Sequence, residues 1–134
     1  HLSIRRQRQM CIRDRALAAE CEVRTFCHVT GGGLAGNMER IIPEGLVADM
    51  RRTTWTPGPI FRTIKSVGQV PDEEMEKTFN MGVGMVAIVS PEDRDRALAI
   101  LAARHIDAWD LGEVRAAGEG DTARAVLTGS HPQY

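Results

Sequence analysis

The sequence predicts an α/β (α+β) layer structure, a mixed β-sheet covered by helices. Three observations lead there. Short β-branched runs such as Val23–Val29 alternate with segments whose apolar residues recur at helical spacing. Prolines followed by acidic residues mark helix starts at two places, Pro71 and Pro91. One stretch, Gly82–Val89 (GVGMVAIV), is apolar throughout over a length that suits a buried strand.

Taken in order, Ala16–Cys21 reads as the last turns of a helix, and Val23–Val29 as a strand. Thr30-Gly31-Gly32-Gly33 is then a tight connection into a helix whose apolar residues are Leu34, Met38, Ile41 and Ile42, stopped by Pro43. Gly45–Arg51 is a second strand. Thr53–Pro59, with Trp55 and two prolines, is irregular, and Pro59–Val67 is helical. Pro71 at a first-turn position opens an acidic helix, PDEEMEKTF, which ends at Asn80; Asp72, Glu73 and Glu74 complement its dipole. Gly82–Val89 is expected as the central strand, buried on both faces. Ser90-Pro91-Glu92-Asp93 starts the next helix with a capping hydroxyl, and Ala97, Leu98, Ile100 and Leu101 form its apolar face. Two last strands are expected around Ala108–Arg115 and Thr122–Leu127, joined by the Gly118–Asp121 turn.

At 134 residues, with 43% apolar and 26% charged residues, the composition is that of one soluble globular domain. No window approaches the roughly 18–20 apolar residues a membrane-spanning helix requires, and no apolar signal-peptide core stands at the N-terminus, so no membrane partner is expected. Cys11, Cys21 and Cys27 cannot all pair within one chain and lack CxxC spacing, which points to a reducing, cytoplasmic setting. A formal net charge of −1 disfavours a nucleic-acid partner. That near-neutral total is a cancellation. Residues 1–15 carry five arginines against Asp14, a local +4, which leaves −5 on the rest.

Two clusters carry the chemistry. The first is His28-Val29-Thr30-Gly31-Gly32-Gly33, followed by Asn37 and Arg40. Glycines at a strand-to-helix junction permit positive φ and close approach of a ligand to the backbone, a geometry suited to phosphate; Asn37 and Arg40 could supplement the backbone donors. The same triplet also suits a tight turn without any ligand. His28 could exchange a proton or hydrogen-bond a substrate oxygen, and a purely structural role is equally open. Metal ligation by Cys21, Cys27 and His28 is not expected, because adjacent strand residues point to opposite faces. The second cluster is Gly68–Met85, where an acidic helix runs through Asn80 into a strand with Gly82 and Gly84, both of which leave room for a ligand or for another backbone. Glu73, Glu74 and Glu76 read as a solvated helix face, and Met75 with Phe79 as its buried stripe.

The combination HVTGGGLAGNMERIIP and TTWTPGPIFRTIKSVGQVPDEEMEKTFNMGVGMVAIV closely resembles the C-terminal half of the aminoimidazole ribonucleotide synthetase (phosphoribosylformylglycinamidine cyclo-ligase) family. The resemblance runs from about Ala16 to Leu127. It implies a step of purine biosynthesis in which ATP, with Mg2+, activates the formyl-derived oxygen of formylglycinamidine ribonucleotide and the amidine nitrogen closes the imidazole ring, releasing ADP and phosphate. It also implies a homodimer in the full-length protein. By analogy His28 is the candidate catalytic residue, Thr30, Gly31, Gly32, Gly33, Asn37 and Arg40 hold substrate phosphate or a charged intermediate, and Asn80, Gly82 and Gly84 line the cleft.

Family members are longer, and their N-terminal half carries the nucleotide loop and the metal ligands, so ATP and Mg2+ are expected to be held mainly outside this chain, which alone is expected to be inactive. Residues 16–134 are then the C-terminal domain and 1–15 a non-native or disordered basic segment. Two alternatives stand beside this reading: a related member such as formylglycinamidine ribonucleotide synthetase, and a non-catalytic phosphate-binding module.

Overall fold

The computed structural model describes residues 15–134. Apart from Arg15, the expected basic segment lies outside the described residues. In chain order the elements are a helix over 15–20 (α1), β1 (Val23–His28), α2 (Gly33–Glu39), β2 (Leu46–Arg51), a 3-10 turn at Arg52–Thr54, α3 (Pro59–Gly68), α4 (Asp72–Thr78), β3 (Met85–Val89), a second 3-10 turn at Pro91–Asp93, α5 (Arg94–Ala103), β4 (Gly112–Ala116) and β5 (Ala125–Thr128). The architecture is mixed α/β, as predicted. Strands β1 and β3 form a two-stranded sheet, and a three-stranded sheet has the order β4-β2-β5.

The chain divides into two compact units. The first comprises, among the described residues, 15–26 and Ala87–Asp110. Its core is Leu17, Cys21 and Ala97, with Val23, Phe26, Ala87, Val89, Ile100 and Leu101 packed against them. Ala97, Ile100 and Leu101 of the apolar face expected for α5 pack here with strand residues of the same unit, whereas Leu98 is half-buried and outside the cluster. The helix start differs from expectation. Ser90 is the N-cap residue of a 3-10 turn, but its hydroxyl donates to the Glu92 carboxylate and accepts no backbone N–H, while Asp93 Oδ2 accepts the Glu22 N–H at 2.7 Å.

The second unit comprises Cys27–Val86 and Leu111–Tyr134. Its three-stranded sheet is mixed: β2 pairs antiparallel with β4 (Ala48 opposite Val114) and parallel with β5 (Ala48 opposite Ala125). The last two strands do not pair with each other; both flank β2, which is the central strand of this sheet. Val47, Ala48 and Met50 of β2 are buried together with Leu34 and Met38 of α2 and Met75 of α4. Leu34 and Met38 are four apart on one helix face, and burying two such side chains contributes roughly 3–6 kcal/mol.

The expectation that Gly82–Val89 forms the central strand is corrected. Extended structure begins only at Met85, and all five residues of β3 are half-buried. The backbone turns first: Met81 and Gly82 have φ of 53° and 96°, and Asn80 Oδ1 accepts the Gly82 N–H at 2.9 Å. A left-handed pair cannot continue a strand. Helix α2 also ends early, at Glu39, because the N–H groups of Ile41 and Ile42 both turn back to the Met38 carbonyl before Pro43 is reached. Pro71 is the N-cap of α4 and so precedes its first turn.

Candidate functional site

The site is built where β1 gives way to α2. Val29 is buried, and its N–H donates to the Gly84 carbonyl at 3.0 Å. That bond brings Gly84, from the second sequence cluster, beside the start of the glycine loop of the first. Thr30, Gly31 and Gly32 are exposed, whereas Gly33 is buried. Gly32 and Gly33 have φ of 98° and 77°, so the loop needs glycine at both. Gly33 has a second constraint: a Cβ there would run into the backbone carbonyl of Glu76 in α4. The loop thus rests directly on a neighbouring helix backbone.

Asn37 holds the loop from inside. It is only 6% exposed, and its Nδ2 donates to the carbonyls of Gly33 (2.7 Å), Thr30 (3.2 Å) and Gly31 (3.4 Å). Its Oδ1 accepts the Thr30 hydroxyl at 3.2 Å. One amide therefore ties together three carbonyls of the loop, two of them part-buried and one buried. Asn37 is placed to shape the loop, with its donors already used there.

The outward side is less occupied. Among the described residues, the N–H groups of Gly31 and Gly32 have no acceptor and the Arg40 guanidinium has no carboxylate partner. Arg40 Nη2 lies 3.9 Å from where a Gly32 Cβ would stand. Cys27 beneath is buried; burial pushes its thiol up, and the Arg40 charge partly opposes this. His28, next along β1, is exposed, so adjacent side chains do face opposite ways. Asn80 turns its side chain to Gly82, and Gly82 lies near the Phe61 ring.

A shallow concavity of about 260 Å³ adjoins the loop, lined by Gly32, Ala35 and Gly36, by Glu73, Glu76 and Lys77 of α4, and by Leu127. Of the residues expected at the site, only Gly32 lines it. Among the described residues, no group of three or more His, Cys, Asp or Glu side chains is gathered to hold a metal ion.

The structure adds residues that the sequence did not single out. Arg52 pairs with Glu76 through two hydrogen bonds, Nε to Oε1 at 2.7 Å and Nη2 to Oε2 at 2.9 Å, and its Nη1 donates to the carbonyls of Leu127 (2.8 Å) and Gly129 (3.1 Å). Glu76 is therefore a partner in a half-buried ion pair, distinct from the solvated face expected for it. Met75 is fully buried as expected, and Phe79 packs edge-on against Phe61 at 6.0 Å. No local motif signals the Arg52–Glu76 pair, since the partners are 24 residues apart.

A mixed sheet backed by helices, with a glycine loop pinned open at a strand end, defines a small α/β domain of the kind that presents backbone donors at its surface. The particular family follows from comparison with known proteins. The chain belongs to the family described as AIR synthase related protein, C-terminal domain, which matches residues 4–123. The match begins inside the arginine-rich segment. Relatives include a Streptomyces fradiae protein provisionally named phosphoribosylformylglycinamidine cyclo-ligase, 54% identical over 87% of this chain and 65% of its own length. Proteins named phosphoribosylformylglycinamidine cyclo-ligase from Anaeromyxobacter dehalogenans (strain 2CP-1 / ATCC BAA-258) and Methylobacillus flagellatus are 44% and 41% identical over 84% and 79% of the chain. The chain spans 32% and 31% of those two relatives.

Proposed function

We propose that this chain is the C-terminal domain of an ATP-dependent cyclo-ligase that closes the imidazole ring of formylglycinamidine ribonucleotide to give aminoimidazole ribonucleotide, a purine-biosynthetic step. The observation that carries the reading is the loop Thr30–Gly33: the Thr30, Gly31 and Gly33 carbonyls are tied inward by Asn37, leaving, among the described residues, the Gly31 and Gly32 N–H groups without an acceptor and the Arg40 guanidinium without a carboxylate. Fixed donors beside a cation suit a phosphate group or the oxygen on which charge develops when the formyl oxygen is activated, and donors already oriented need no reorganisation as the reaction proceeds. The names of the relatives support the same reaction.

In this reading Thr30, Gly31, Gly32 and Arg40 touch the substrate, Gly33 and Asn37 hold the loop, and Asn80, Gly82 and Gly84 border it. His28, exposed next to the loop, is the candidate proton carrier. ATP supplies the activating phosphoryl group. Mg2+, most ATP contacts and the dimer interface belong, in this reading, to parts of the longer relatives that this chain does not span, since it covers 32% of one of them. The relatives' names support a small-molecule partner, and a cytoplasmic setting is part of the same proposal.

A chimera tests this. Residues 16–134 replacing the matching segment of the Anaeromyxobacter dehalogenans relative are expected to support release of ADP dependent on formylglycinamidine ribonucleotide, with Arg40→Ala raising KM for that substrate. A folded chimera without turnover overturns the reading, as does tight ATP binding by the isolated chain.

A further inference from the structure

The C-terminal segment after β5 carries a histidine whose environment is incomplete. The His131 side chain is only 4% exposed. Its Nδ1 lies 3.1 Å from the Arg52 carbonyl and 3.2 Å from the Trp55 carbonyl. Both are acceptors only, so the ring proton sits on Nδ1. Nε2 is then a bare lone pair, buried and without a hydrogen-bond partner among the described residues, facing Glu76 Oε1 across 3.9 Å. A buried acceptor pointed at a carboxylate is a mismatch that one proton would repair.

We propose that His131 and Glu76 form an acid-closed clamp, in which protonation of Nε2 turns the gap into a charge-assisted hydrogen bond and fastens the C-terminal segment to α4. The neighbouring charges permit it. Arg52 is the cation on Glu76, but its charge is already matched by the two oxygens of Glu76, and Oε1 retains a lone pair beyond the one given to Arg52 Nε. From α3, Lys65 is held by Asp72 at the start of α4 at 2.6 Å and lies 4.4 Å over the Tyr134 ring. Tyr134 packs edge-on against His131 at 5.4 Å; burial pushes its phenol up, so it stays neutral throughout the relevant range. The His131 ring also meets Trp55 edge-on at 4.5 Å, an uncharged contact. Glu76 is thus the one anion that faces Nε2 among the described residues. The closing movement is about 1 Å, the difference between the present separation and a charged hydrogen bond.

The clamp also touches the candidate site, since the Glu76 carbonyl is the surface on which Gly33 rests. The proposal itself concerns only the C-terminal segment and stands whatever the loop binds.

The test uses the whole 134-residue chain. The His131 ring proton resonance, followed by NMR against pH, is expected to show a single transition whose midpoint moves to lower pH in Glu76→Gln by at least about half a unit. Because Glu76→Gln also weakens the Arg52 pair and could unfold the chain, thermal melting of wild type and His131→Asn between about pH 8 and pH 6 provides the second measurement. The difference between them is expected to grow by about 3 °C on acidification. A midpoint indifferent to Glu76, or a melting difference that stays constant or shrinks as the pH falls, overturns the clamp.

Discussion

The guanidinium of Arg52 grips the carboxylate of Glu76 through two parallel hydrogen bonds of 2.7 and 2.9 Å, while its remaining nitrogen holds the carbonyls that follow β5. One side chain thereby ties α4 to the end of the three-stranded sheet. Arg52→Leu leaves a half-buried carboxylate and two carbonyls without donors and is expected to cost about 2 kcal/mol, discounted for the partial exposure of the pair. Urea denaturation at neutral pH measures it. A loss below about 0.5 kcal/mol would mean that water replaces the guanidinium at no cost.

Gly33→Ala and Gly36→Ala form a contrasting pair on one helix. The first introduces a methyl group into the Glu76 carbonyl at a positive φ, and a loss of at least 3 kcal/mol is expected. The second places a methyl group in open space in a helix interior and is expected to stabilise by about 0.5–1 kcal/mol. Equilibrium unfolding of both variants decides the point, and similar values would show that the close approach at Gly33 is relieved by movement of α4.

At Asn37 the nearly isosteric substitution is expected to be the worse one. Asn37→Asp turns the atom that faces three carbonyls into an oxygen, adding repulsion to the lost donors, whereas Asn37→Ala only loses them. Expected costs are about 3–4 kcal/mol and about 2 kcal/mol, compared by chemical denaturation at neutral pH. An Asp variant as stable as the Ala variant would refute the assigned amide orientation.

Asp121 sets an acid limit. The Arg115 guanidinium and the Gly118 N–H hold its carboxyl down at about 2, against an ordinary value of 3.8. Since the folded value is depressed, the contribution is complete above the ordinary value and disappears as the pH falls through about 2. Asp121→Asn is therefore expected to lower stability at neutral pH and to flatten its decline between pH 4 and pH 2, as read from melting temperature against pH. An unchanged acid slope would place the loss elsewhere.

Much of the fold is legible in the sequence because its signals are local. The spacing of Leu34 and Met38, the acidic start of α4 and the β-branched run of β1 each declare an element from within a few residues. What could not be read depends on distant partners. Nothing near Gly118–Asp121 reveals that β4 and β5 go to opposite edges of β2, because strand order is fixed by side-chain burial across the whole unit. Likewise the apolar run from Gly82 looked like one strand, while the turn at Met81 and Gly82 depends on the Asn80 side chain. At the site, the triple glycine announced a special backbone; that Asn37 would face inward and Arg40 meet no carboxylate among the described residues could not be inferred from their three-residue spacing alone.

The contact between Gly33 and the Glu76 carbonyl is made by backbone on both sides, which gives it an unequal mutational signature. Every residue type supplies a carbonyl at position 76, proline being unsuitable there only because it breaks the helix, yet position 33 admits a single residue type. A library randomised at both positions and selected for the folded chain should therefore return a broad spread at 76, limited only by the loss of the Arg52 pair, and glycine alone at 33.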